Sequence, residues 1–84
     1  RVDRVQRSEI ARRLAELTPR EHEVMAMVTD GRSNREIAAS LGVSTKTVEA
    51  HRSRVMDKMR ADSLAELVRM CLVAGIPDTD VLPA

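Results

Sequence analysis

The chain has 84 residues, room for one small domain with a single core and little reserve of buried surface. Apolar residues make up 43% of it and none is aromatic, so the core must be assembled from Leu, Val, Ile, Met and Ala on helices. The same lack of rings argues against a reader of single strands, whose surface stacks bases on aromatic platforms. Net charge is only +1, yet the segment Ser44 to Arg60 carries five basic residues against two acidic ones, so positive charge is gathered in one place.

Cys71 is the single cysteine; it has no disulfide partner and no companion for a zinc cluster, which points to a reducing compartment, the cytoplasm by default. No apolar run approaches the roughly 20 residues of a membrane span, and no membrane role is expected. The first residue is Arg1 rather than methionine, which leaves room for a longer parent chain.

In chain order, residues 1–16 are charged, with a sparse apolar stripe at Ile10, Leu14 and Leu17, and read as a linker helix. The domain proper is expected over 17–75 and a tail over 76–84, where two prolines and no period leave only local packing at Ile76. Four helix starts follow from capping chemistry, in which a hydroxyl accepts from an unpaired amide and a glutamate three residues on reaches back. Thr18-Pro19-Arg20-Glu21, Ser33-Asn34-Arg35-Glu36 and Ser63-Leu64-Ala65-Glu66 carry the full pattern, whereas Ser44-Thr45-Lys46-Thr47 has Val43 and Val48 as a hydrophobic staple instead. Gly31, Gly42 and Gly75 supply stops, and the third of these helices ends near Arg60 to Asp62.

Only Gly42-Val43-Ser44 separates the second and third helices, the short glycine-containing turn of a helix-turn-helix over about 34–53. An ordinary helical hairpin is the plain alternative. At roughly 100° per residue, Val48, Val55 and Met59 form one narrow stripe on the third helix, which faces the core. Opposite stand Lys46, Ala50, Ser53 and Asp57, with Thr47, His51, Arg54 and Lys58 on one flank and Glu49, Met56 and Arg60 on the other. Short side chains there let a helix approach base edges. Lys46 can donate to guanine or to a phosphate, Glu49 can accept from cytosine N4, and Ala50 or Ser53 can meet a thymine methyl or a base edge. Thr47, Arg54 and Lys58 suit backbone contacts. Glu49 could instead pair with Arg52 or Ser53, and His51 is either a packed, hydrogen-bonded histidine or a phosphate donor. In the last helix Leu64, Leu67, Val68 and Cys71 read as the buried stripe, which leaves Cys71 a core residue rather than a nucleophile; no enzyme, cofactor or metal site is expected.

The order Leu17-Thr18-Pro19-Arg20-Glu21, Gly31, Asn34-Arg35-Glu36-Ile37-Ala38, Leu41-Gly42-Val43-Ser44, Thr47-Val48-Glu49-Ala50-His51-Arg52, Val55-Met56-Asp57-Lys58-Met59 and Ser63-Leu64-Ala65-Glu66-Leu67-Val68 resembles the LuxR-type DNA-binding domain, and within it the output domain of FixJ/NarL-family response regulators. The resemblance covers about Leu17 to Gly75. It implies a four-helix LuxR/NarL-type helix-turn-helix domain, here preceded by the linker helix, that binds promoter DNA as a dimer under control of an N-terminal phosphorylatable receiver. An activator with RNA polymerase as a further partner is the expectation. In the family the base-reading positions match Glu49, Ala50 and Ser53, and the helix start, Lys46 and Thr47, lies beside the backbone; with the residue-type reading, Lys46 joins the expected base-reading set. The expected backbone set is Ser44, Thr45, Thr47, His51, Arg54 and Lys58. Glu49 is acidic, as in FixJ-like members, where many relatives carry a basic residue. The resemblance also implies dimerisation through the last helix, whose outward side on a helical wheel holds Glu66, Arg69, Met70 and Val73; the plain alternative is that Met70 and Val73 are isolated surface residues. A protein-interaction module and a sigma-like promoter-recognition domain are the competing readings.

Overall fold

The computed structural model describes residues 4–75 as five helices, with no strand among them: α1 Arg4–Ala15, α2 Pro19–Thr29, α3 Asn34–Leu41, α4 Thr45–Met59 and α5 Leu64–Gly75. The expected packing of the tail at Ile76 lies outside the described residues.

The capping signals place the helix starts. At α2 the Thr18 hydroxyl accepts from the Glu21 amide at 3.1 Å while the Glu21 carboxylate accepts from the Thr18 amide at 2.9 Å, and Ser33 with Glu36 repeats the arrangement at α3. Such a reciprocal pair satisfies two amides that have no partner within the helix. Ser44 caps α4 by accepting from the Thr47 amide, and Ser63 accepts from the Glu66 amide at 3.1 Å.

Gly31 and Gly42 stand at φ 89 and 70 after α2 and α3, but Gly75, expected as a left-handed stop, is the last helical residue of α5 and is not at positive φ, and α4 stops without a glycine. Helix α4 ends on Arg60 at φ 55 and ψ 43, a left-handed conformation that glycine adopts cheaply and a side-chain-bearing residue does not. The Arg60 amide closes onto Asp57 O and Met56 O, and the Ala61 amide also reaches Met56 O, so the terminal carbonyls of α4 are satisfied despite the missing glycine.

The core gathers Val24, Met25 and Val28 of α2, Ile37 and Ala38 of α3, Val48, Val55 and Met59 of α4, and Leu67, Met70 and Val73 of α5. Helix α1 belongs to it as well. Its Ile10 and the following Leu17 are buried and Leu14 packs against the cluster, so the segment expected to be a linker is helical but lies docked across α5 and α4. That docking explains the one misread face. Met70 and Val73, expected on the outward side of α5, are 1% and 4% exposed, because α1 covers the side of α5 that a four-helix core would leave bare. Leu64, expected inside, is 44% exposed, and Val68 and Cys71 are only half-buried.

A candidate nucleic-acid interface on α3 and α4

Helices α3 and α4 join through Gly42, which stands at φ 70 and ψ 34 with its amide on Ala38 O; the Val43 amide closes onto the same carbonyl at 3.1 Å. A left-handed residue there ends α3 abruptly, and extended Ser44 at φ −79 and ψ 158 starts α4 two residues on. Buried Ile37, Ala38 and Val48 fill the angle of the turn.

With Val48, Val55 and Met59 buried as expected, α4 can present only its opposite face. Lys46, Glu49, Ala50 and Ser53, the expected base-reading set, are all exposed on it, together with Ser44, Thr45, Arg54 and Asp57. Glu49 stays clear of Arg52, whose guanidinium turns instead to Asn34, Nη1 donating to Oδ1 at 2.8 Å. Thr47 is half-buried and its hydroxyl lies 2.9 Å from Ser44 Oγ, which fixes both hydroxyls at the start of the helix.

Two residues of the expected backbone-binding set are held differently. Lys58 turns inward: Nζ donates to Glu21 Oε1 at 2.8 Å and to the Glu16 carbonyl at 3.3 Å. Glu21 is buried, and a buried carboxylate demands a cation and hydrogen-bond donors. The Lys58 hydrogen bond, then the Thr18 amide, hold the Glu21 carboxyl below the ordinary carboxylate range. Lys58 is therefore engaged as a structural cation in this fold. His51 is half-buried and its Nδ1 lies buried without a hydrogen-bond partner, so the ring is packed but lacks the expected hydrogen bond at that atom. Arg13 of α1 donates from Nη1 to the Met59 carbonyl at 3.2 Å and pairs with Glu9 through Nη2 at 3.8 Å. The Arg13–Met59 and Arg52–Asn34 bonds are absent from the sequence reading; these partners lie 46 and 18 residues away, beyond any local pattern.

Elsewhere, the outward side of α5 carries Leu64, Ala65, Arg69 and Leu72, with half-buried Glu66 and Val68 beside them. Burial raises the pKa of the Cys71 thiol, so it is a poor nucleophile. Among the described residues no group of three or more His, Cys, Asp or Glu could hold a metal ion, and no helix is long and apolar enough to cross a membrane.

Residues 15–71 match the model of the luxR family of bacterial regulatory proteins, a span that includes α2, α3, α4 and most of α5. The chain belongs to this family. Among its relatives, the transcriptional regulatory protein FixJ of Azorhizobium caulinodans is 49% identical over 74 residues, 88% of this chain and 35% of that protein. The tetrathionate response regulatory protein TtrR of Salmonella typhimurium is 46% identical over 77 residues, 92% of this chain and 37% of that protein. Full-length FixJ from B. japonicum superposes with a TM-score of 0.78 at 43% identity, covering 88% of this chain and 36% of that one. This luxR-family chain thus spans about a third of the length of the regulators it resembles. Its α3-turn-α4 unit is the helix-turn-helix of a family of transcriptional regulators, not of enzymes.

Proposed function

We propose that this luxR-family domain binds promoter DNA sequence-specifically, with α4 in the major groove. The observation that carries the reading is the exposure of Lys46, Glu49, Ala50 and Ser53 on one face of the second helix of a helix-turn-helix, at its N-terminal end. Those four read base edges, while Ser44, Thr45, Thr47 and Arg54 hold phosphates and fix the register without reading sequence. Lys58 and His51 leave the contact set for the reasons of packing given above.

The domain acts as the output half of a response regulator, released or oriented by a receiver reached through α1, and it works in the cytoplasm as an activator. Support comes from relatives described as transcriptional and response regulatory proteins, of which this chain matches about a third. On DNA two copies pair through α5. The apolar stripe available for this is Leu64, Val68 and Leu72, spaced four residues apart on one face, with Arg69 and Glu66 beside it; Leu72 is 65% exposed and Leu64 44%.

Selection of binding sites from random duplexes, followed by titration at several salt concentrations, tests the reading. A two-fold or pseudo-two-fold site is expected, with affinity falling steeply as salt rises. Glu49→Ala should relax preference at one base position, whereas Arg54→Ala should weaken cognate and scrambled duplexes alike and reduce the salt slope by about 0.9. An affinity indifferent to salt, or equal effects of Glu49→Ala on both duplexes, would overturn it.

A further inference from the structure

We infer that Arg52 is a positioning residue for base discrimination, its hydrogen bond to Asn34 acting as a strut that sets the angle between α3 and α4. The inference rests on the DNA-binding reading above. Asn34 is the first residue of α3 and lies eight residues before Gly42; Arg52 lies eight residues after Ser44. At 1.5 Å per residue each anchor stands about 12 Å along its helix from the turn, so the bond closes an open V across its two arms. Near the vertex the helices are held by Ile37, Ala38 and Val48, contacts that are tight but without direction. The pivot itself is three residues long, with Gly42 left-handed. Helix α2 packs against both arms, and the Arg52–Asn34 bond adds a directional contact between the arms themselves, far from the pivot, where a change of angle meets the greatest leverage. An opening of about 10° would move atoms 12 Å from the turn by about 2 Å, well beyond the ~0.5 Å within which binding groups must be held.

The neighbouring groups leave this pair to itself. Ser33 and Glu36 already satisfy each other's amides at the start of α3, so the Asn34 amide side chain is not needed as a cap. Both Asn34 and Arg52 are half-buried, which strengthens a charge-assisted hydrogen bond relative to an exposed one. Arg52 thus acts on the DNA through the placement of Glu49 and Ser53, three residues before it and one after, rather than by touching the duplex.

The test measures the ratio of affinities of the full 84-residue chain for its selected duplex and a scrambled duplex of equal length, with the salt slope of each. Asn34→Leu, which keeps the volume and removes the acceptor, should lower that ratio about five- to tenfold without changing the slope. Arg52→Met should lower it by the same factor, and the double variant by no more than either alone. Asn34→Asp keeps the acceptor and should keep the ratio, a rescue that a merely structural side chain would not give. If Arg52→Met failed to fold, the Leu and Asp variants of Asn34 would decide the matter between them. A phosphate contact by Arg52 predicts something else: Asn34→Leu without effect, and Arg52→Met weakening both duplexes with a slope reduced by about 0.9. That result would overturn the inference alone, as would additive single variants. A wild-type chain that binds both duplexes equally would overturn the DNA-binding reading, and this inference with it.

Discussion

Lys58, in the last full turn of α4, donates to Glu21 Oε1 at 2.8 Å at the start of α2, and so joins the third helix of the luxR domain to the capping box of the first. The Glu21 side chain is buried, while the Lys58 side chain as a whole is 33% exposed. Removing the cation therefore costs more than the pair's attraction, because Glu21 is left charged and desolvated.

Lys58→Met is expected to destabilise the domain by about 2 kcal/mol, less than for a fully buried pair because Lys58 is solvated. Thermal denaturation should show the midpoint falling by about 10 °C for a chain of this size. The salt slope of DNA binding should not change. A reduction of about one unit, with the melting temperature intact, would return Lys58 to the phosphate contacts.

Acid should unfold the domain partly through the same carboxylate. The Lys58 hydrogen bond and the Thr18 amide lower the folded-state pKa of Glu21 below 4.5, and Ser33 lowers that of Glu36 in the same way. Between the folded and unfolded values the unfolded chain binds more protons, so stability rises with pH there and is lost as pH falls through the folded pKa. Melts from pH 7 down to pH 3 should show this loss beginning below about 4.5, and Glu21→Gln should flatten part of it while lowering stability at neutral pH. A pH profile identical in Glu21→Gln would mean other carboxylates govern acid unfolding.

Arg60 is the only described non-glycine residue at positive φ. Because the left-handed conformation penalises a Cβ, Arg60→Gly should stabilise the domain by about 1 kcal/mol and raise the melting midpoint by about 4–8 °C. A midpoint that fell would show that the Arg60 side chain contributes more than its backbone costs.

Two substitutions on α5 separate core from surface. Met70→Ala should cost about 2–4 kcal/mol, since the side chain is buried under α1. Leu72→Glu should leave stability within about 0.5 kcal/mol yet weaken cooperative occupation of a two-half-site duplex. Unchanged cooperativity in Leu72→Glu, measured by gel shift on one and two half-sites, would remove the α5 stripe as the pairing surface.

Much of this molecule was written locally in the chain. The starts of α2, α3 and α4 need only a hydroxyl, a nearby amide and, at two of them, a glutamate three residues on, interactions that close within one turn and survive any tertiary context. The buried stripe of α4 was equally legible, because Val48, Val55 and Met59 recur at helical spacing on an otherwise polar helix and leave one solution for which face turns out. Helix α5 offers no such contrast: Leu64, Leu67, Val68, Met70, Cys71, Leu72 and Val73 surround it with apolar side chains. Which of them were buried was decided by α1, which arrives from some sixty residues earlier and seats Ile10 in the same core as Met70. The roles of Lys58, Arg13 and Arg52 were decided the same way. A long cation can serve a phosphate, a carbonyl or a carboxylate, and only the fold determines which acceptor stands within reach. The sequence by itself thus determined the helix starts and which face of α4 turns outward; the tertiary structure alone decided which charges are tied up beside that face and which side of α5 remains free.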